Sequence, residues 1–351
     1  MKRFLFALCA LLICHAADAQ GNKPRAQCET IMDLPEAAPF IEEMVARHQF
    51  DRTALTQWLA QTCLKQSILN AMTRPAEAKP WSEYRPLFVE PKRIARGVQF
   101  WSAHEAQLSR AEAQYGVPAS MIVAIIGVET FYGRNTGSYR VMDALATLAF
   151  GYPPRAAYFR QELEQYLLLA REANFEPLSV KGSYAGAMGI SQFMPSSYRL
   201  FGIDFDGDGH RDLWDNPDDA IGSVANYFRA KGWQSGAPVA TAATTVAGPG
   251  KGLANRGWGY RMPLKDWARV GVAANDASHA EAEAMLLELA GSNGPEYWLA
   301  YKNFYVITRY NHSFQYAMAV WQLSRALEAA RAASAAPRPR PETPDNPRNF
   351  Q

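Results

Sequence analysis

One run constrains this chain more than any other: Pro118 to Gly133, PASMIVAIIGVETFYG. It is almost wholly apolar until Glu129. Read as a helix, Ile122, Ile125, Ile126 and Glu129 share a face at three- and four-residue spacing, so a single carboxyl ends an oily stripe. Burial without a charge partner raises a carboxyl pKa, and a glutamic acid that keeps its proton near neutral pH can serve as a general acid. The competing reading is a structural glutamate that reaches solvent or an arginine.

The N-terminus carries an address. Lys2 and Arg3 precede an apolar run from Phe4 to Cys14, and Ala17-Asp18-Ala19 follows. This order of charged, apolar and small residues reads as a secretory signal peptide over residues 1–19. Ile13 before Cys14 is a poor match to a lipid-attachment motif, so a lipid anchor is not expected. Cys28 and Cys63 remain after cleavage, and two cysteines in an exported chain imply one disulfide. A net charge of +2 with no dense basic stripe argues against nucleic acid as a partner.

Helical periodicity runs from Phe40 to about Met72, with Pro75 and Pro80 breaking it. Trp81 to Pro91 is aromatic and irregular. One long helix is expected from about Ile94 to Tyr115, closed by Gly116, and Pro118 suits the first turn of the next. Ala156 to Asn174 reads as a helix with Tyr158, Phe159, Leu163, Tyr166 and Leu167 inward. Lys181 to Tyr198 is a loop of small residues. Ala220 to Lys231 is helical. From Ala237 to Asn303 short β-prone runs replace the helical period, which indicates a small β-containing insertion. Helix returns from Phe304 to Ala333, and the Ala/Pro/Arg tail from Ser334 is expected to be disordered.

Asp204 to Asp215, DFDGDGHRDLWD, opens like an EF-hand calcium loop, with carboxylates at Asp204, Asp206 and Asp208 before Gly209. Its twelfth position is Asp215 and not the usual glutamate. Asp143, ahead of Ala-Leu-Ala-Thr-Leu, reads as a helix cap and not as a second catalytic carboxylate.

Taken in order, IIGVETFYGRNTG, DALATLAF, GSYAGAMGISQFMPSSY, DFDGDGHRDLWD, DAIGSVANYF and ITRYNHSFQYAMAVWQL resemble the lytic murein transglycosylases of the B type, glycoside hydrolase family 103. The blocks span most of residues 80 to 330. The resemblance implies a mainly α (α+β) protein: a lysozyme-like helical core (81–236 with 304–333), a helical N-terminal domain (20–80) and a small β domain (237–303). It implies cleavage of the β-1,4 bond between N-acetylmuramic acid and N-acetylglucosamine in peptidoglycan, leaving 1,6-anhydro-muramoyl ends and consuming no water.

Glu129 matches the family's single catalytic acid/base. The resemblance places Ser183, Tyr184, Gln192 and Phe193 in the glycan groove, with Tyr84, Arg155, Tyr310, Asn311 and Tyr316 beside them. It implies no catalytic cofactor but a structural calcium ion on Asp204, Asp206, Asp208 and the His210 carbonyl. Asp219 closes that site, with Asp218 as the alternative. Glycan strands are the implied partner, cell-wall synthesis or remodelling proteins are further candidates, and a periplasmic monomer is expected. A hydrolytic muramidase and an inactive peptidoglycan-binding protein are the rival readings.

Overall fold

The computed structural model describes residues 28–73 and 79–335. The signal-peptide reading, Cys14, the Pro75 break and the tail beyond Ala335 lie outside them. Three short helices begin the described chain: α1 (Ala37–His48), α2 (Arg52–Ala60) and α3 (Gln66–Met72). Asp51 starts α2 by accepting from the Ala54 N–H at 2.7 Å, which satisfies one of the amides a helix start leaves unpaired. A Cys28–Cys63 disulfide closes over this unit.

A four-residue helix, α4 (Trp81–Tyr84), stands in the aromatic stretch, and α5 (Pro91–Ala103) and α6 (Glu105–Tyr115) follow. The single long helix expected here is thus broken. His104 leaves the helical region at φ −120°, ψ 32°, its ring 4.6 Å from that of Phe100 and its Nδ1 3.5 Å from Asp218. Periodicity could not register that break, because both halves keep the same apolar spacing.

Helix α7 (Ala119–Thr130) is the centre of the molecule. Every residue in it except Glu129 is buried. The helix is therefore apolar all round and surrounded on all sides. It packs against α5, α6 and two later helices, α11 (Pro217–Ala230) and α14 (Phe314–Ala335). Among the described residues no single helix is long and apolar enough to cross a membrane.

After α7 come α8 (Val141–Gly151), α9 (Ala156–Glu172) and α10 (Pro195–Phe201), which with the N-terminal helices build a second apolar cluster. Asp143 is not the cap of α8. Arg140 holds that position, and the Asp143 carboxylate, third in the helix, accepts from Arg140 at 2.6 and 3.0 Å and from the Cys63 N–H at 3.2 Å. Tyr158 in α9 points outward at 37% exposure, against the inward reading. A two-stranded ladder, β1 (Tyr139–Arg140) with β2 (Lys181–Gly182), ties the start of α8 to the small-residue loop.

The β-containing segment forms an antiparallel sheet of β3 (Ala240–Val246), β4 (Met262–Pro263), β5 (Val272–Ala274), β6 (Glu283–Gly291) and β7 (Gly294–Ala300), in the order β4-β6-β7-β3-β5. Its inner face contributes Met285, Leu287 and Leu289 to the core around α7. Its other face packs on α12 (Leu264–Arg269) through Trp267 and Leu286. The last segment is two helices, α13 (Lys302–Ile307) and α14, and not one. Asn311 and Ser313 separate them by accepting from the N–H groups of Ser313 and Tyr316, each at 3.2 Å. Helix α14 runs two residues past Ala333.

Candidate active site

Glu129 sits on the last turn of α7 and is half-buried. It does not stand alone in an apolar slot, as the sequence alone suggested. The Tyr316 hydroxyl donates to its Oε1 at 2.5 Å. Tyr316 itself is 3% exposed. Burial first, and then the nearby Glu129 charge, hold its phenol well above the usual tyrosine range, so the hydroxyl keeps its proton. Tyr310 shares this environment: burial and Glu129 raise it in the same way, and its hydroxyl donates to the Ser191 carbonyl at 2.5 Å.

The turn after Glu129 is unusual in its backbone. Phe131 and Tyr132 both take left-handed conformations, at φ 52° and 62°, which costs a non-glycine residue about 1 kcal/mol or more. Local bonds offset this. The Thr130 hydroxyl donates to the Ile190 carbonyl and accepts from the Gly133 N–H, both at 2.9 Å. The Tyr132 hydroxyl donates to the Arg93 carbonyl at 2.9 Å, and its ring lies flush on Gly127, where a Cβ would come within 2.7 Å of it. The end of α7 is thereby fixed to α5 on one side and to the 183–193 loop on the other.

That loop is held by its own backbone. Met188 and Phe193 exchange N–H···O bonds at 2.9 and 3.1 Å. Gly189 has φ +70° and packs on the Leu213 carbonyl, with no room for a side chain. Ser183 Oγ accepts from the Ala185 and Ala187 N–H groups at 3.3 and 3.0 Å. The Gln192 amide donates to the carbonyls of Thr136 and Gly189 at 3.0 and 2.9 Å. Both polar side chains brace the loop. Tyr184 is 38% exposed.

The structure sorts the remaining expected residues into two groups. Phe193 and Tyr84 are 2% and 1% exposed. Phe193 packs on Tyr227 and Tyr310, and Tyr84 lies close enough to Tyr316 to help raise its phenol. Their rings pack behind the site, where the expectation has Phe193 in the groove and Tyr84 beside it. Asn311 is half-buried on the α13–α14 connection. Arg155 is exposed and rests 4.6 Å over the Tyr158 ring. Thr130, Tyr132 and Tyr227 position the site, and the sequence reading does not single them out. Nothing in periodicity marks a residue whose task is to hold a turn.

The acidic loop lies apart in sequence from Glu129. One carboxylate oxygen from each of Asp204, Asp206 and Asp219 falls within 4.8 Å of the others, a spacing and donor set that fit a hard divalent cation such as calcium. The Asp208 side chain is not in this group; its Oδ1 accepts from the His210 N–H at 2.7 Å. Asp219 is fully buried and accepts from the N–H groups of Phe205 and Asp212 at 2.6 and 2.7 Å. Burial raises its pKa, while the Asn216 amide lowers that of Asp206. Asp218 turns the other way, to His104 and to the Gln107 amide at 2.9 Å.

The fold is shared with known proteins. A family profile described as a transglycosylase SLT domain matches residues 33–325. The chain is 48% identical over 307 residues to membrane-bound lytic murein transglycosylase B of Escherichia coli (strain K12), covering 85% of this chain and 84% of that protein. The crystal structure of soluble lytic transglycosylase SltB1 from Pseudomonas aeruginosa matches with a TM-score of 0.79 at 50% identity, over 85% of this chain and 100% of that one. The Escherichia coli lytic transglycosylase Slt35 in complex with calcium gives 0.79 at 47% identity, over 87% and 96%.

Proposed function

This chain belongs to the SLT-domain transglycosylase family, and from that premise we propose that it is a peptidoglycan lytic transglycosylase in which Glu129 is the single acid and base. Protonated Glu129 donates to the glycosidic oxygen between N-acetylmuramic acid and N-acetylglucosamine as C1 gains oxocarbenium character. The carboxylate left behind takes the proton from the muramic C6 hydroxyl, whose oxygen attacks C1 and closes the 1,6-anhydro ring. The nucleophile is already tethered to the sugar, so no water has to be positioned.

One observation carries the single-carboxylate reading. Asp143, the nearest alternative in sequence, is committed to Arg140 and the Cys63 amide, while Glu129 is the one side chain α7 leaves unburied. Tyr316 positions the Glu129 carboxyl. Ser183, Tyr184, Gln192, Arg155, Tyr310 and Asn311 belong to the glycan groove on this reading, some through the loop they brace. Asp204, Asp206 and Asp219 would hold a calcium ion, which would offset most of the charge of the three converging carboxylates and join the acidic loop to the start of α11. The substrate lies outside the cytoplasmic membrane, and the signal-like N-terminus supports a periplasmic location.

The test is mass spectrometry of muropeptides released from purified peptidoglycan, with Glu129→Gln as control. Products lighter by one water than hydrolytic muropeptides, and lost in the variant, are the expected result. Reducing products would instead make the protein a muramidase. Undiminished release by Glu129→Gln would remove Glu129 from the mechanism.

A further inference from the structure

On the face next to Tyr310, cations rest on aromatic rings and not on carboxylates. Lys302 Nζ lies 4.9 Å from the centre of the Tyr305 ring and 5.8 Å from that of Trp258. Those two rings stack at 5.2 Å, 17° from parallel. Arg309 is 5.9 Å from the same Tyr305 ring, and Lys231 is 5.3 Å from the Tyr227 ring. Among the described residues, none of Lys231, Lys302 and Arg309 has a carboxylate within 4.0 Å. Arg261, over the other side of Trp258 at 5.2 Å, does have one, Glu283 at 2.7 Å.

These cations also feel one another. Lys231 is lowered by burial and then by Arg309, and His312 by burial and then by Arg309 and Arg155. Like charges gathered without counter-ions cost electrostatic free energy, and an anion placed among them removes that cost. Tyr227 joins the row to the catalytic region: its hydroxyl donates to the Arg309 carbonyl, and its ring packs 4.9 Å from Tyr310. At the far end the row opens into a cavity of about 410 Å³ lined by Gln234, Trp258, Arg261, Glu283, Tyr301 and Lys302.

We propose that Lys302, Arg309 and Lys231 bind the free carboxylates of the peptide stem carried by the strand being cut, with the Trp258–Tyr305 pair receiving its apolar side chains. This rests on the transglycosylase reading above. The stem leaves the glycan at the muramic lactyl group, so it must run away from the groove over a neighbouring surface, and its carboxylates are the anions available there. Cations on aromatic faces suit such a ligand: the ring holds the ammonium or guanidinium in place and leaves its donors open.

Two assays decide it. In the first, wild type, Lys302→Gln, Arg309→Gln and the double variant digest intact peptidoglycan strands and strands freed of peptide by an amidase. The amidase removes the stem with its carboxylates and leaves one new carboxylate on each muramic lactyl group, so a preference for intact strands reports the stem and not the lactyl anion. Wild type should prefer stem-bearing strands, and each single variant should lose about fivefold of that preference in kcat/KM, as expected for one partly exposed charge pair. Lys302→Arg should keep it, and added salt should weaken it in wild type. In the second, calorimetry measures binding of a disaccharide-tetrapeptide to Glu129→Gln protein with and without Lys302→Gln. Equal loss on both strand types, together with unchanged binding, overturns the inference. Binding weakened by Lys302→Gln, beside a wild type that cleaves neither substrate, would sustain the row and refute the proposed reaction.

Discussion

Tyr316→Phe tests the site most sharply. Phenylalanine keeps the ring in a slot that is 3% exposed, so the one group removed is the hydroxyl 2.5 Å from Glu129 Oε1. A hydrogen bond to a charged partner contributes about 1.5–3 kcal/mol. If all of it favoured the ionised carboxylate, losing it would raise the Glu129 pKa. A neutral carboxyl also accepts from a phenol, which limits the rise.

The sign follows from the role. In the proposed role Glu129 must be protonated for bond cleavage, so activity falls as pH rises through its pKa. Removing a donor that favours the carboxylate moves this alkaline limb to higher pH. Plateau kcat should fall roughly ten- to hundredfold, because the carboxyl is no longer held against the scissile oxygen. KM should change little. The assay is the pH dependence of turbidity loss in a peptidoglycan suspension, with thermal melting to check the fold. A profile that superimposes on the wild type, with kcat within about twofold, refutes a positioning role for Tyr316.

Calcium should raise the melting temperature in a concentration-dependent way, by about 2.7 kcal/mol of stability at a hundred times its dissociation constant. Chelation should reverse this, and Asp219→Ala should abolish the response while Asp208→Ala keeps most of it. Differential scanning fluorimetry reads both, and equal behaviour of the two variants would contradict the three-carboxylate assignment. Gly127→Ala should destabilise by about 1–3 kcal/mol through overpacking, since its Cβ would lie 2.7 Å from the Tyr132 ring. It should also lower kcat by displacing the turn after Glu129; chemical denaturation and turnover measured on one preparation check the pair.

Much of the fold was legible in the sequence. The apolar run ending at Glu129 is one helix, and the β-prone runs at Val239–Val246, Met285–Leu289 and Tyr297–Leu299 fall on β3, β6 and β7. Two helix breaks were not legible, at His104 and between Ile307 and Phe314. Both are set by contacts from outside the segment or by side chains that cap locally, while the apolar spacing continues across them. Single-site chemistry was legible as residue type and not as posture. Asp219 and Asp218 differ only in the direction of each side chain, and the depth at which the Phe193 ring packs is not marked by its neighbours in the chain. Tyr316 shares no local pattern with Glu129, lying 187 positions away in the chain. Only the packing of α14 on α7 brings the two together.

The burial of α7 on every side ties the enzyme's working life to its fold. Local opening of a protein releases loops and frayed ends long before central helices, which exchange their amide hydrogens only when the whole domain unfolds. The acid here sits on such a helix, with one side chain showing. Partial unfolding of the N-terminal helices, which pack in the second apolar cluster, leaves α7 covered and Glu129 in place. Thermal loss of the chemistry therefore tracks unfolding of the core around α7, and the proposed acid is among the last features of the molecule to be lost.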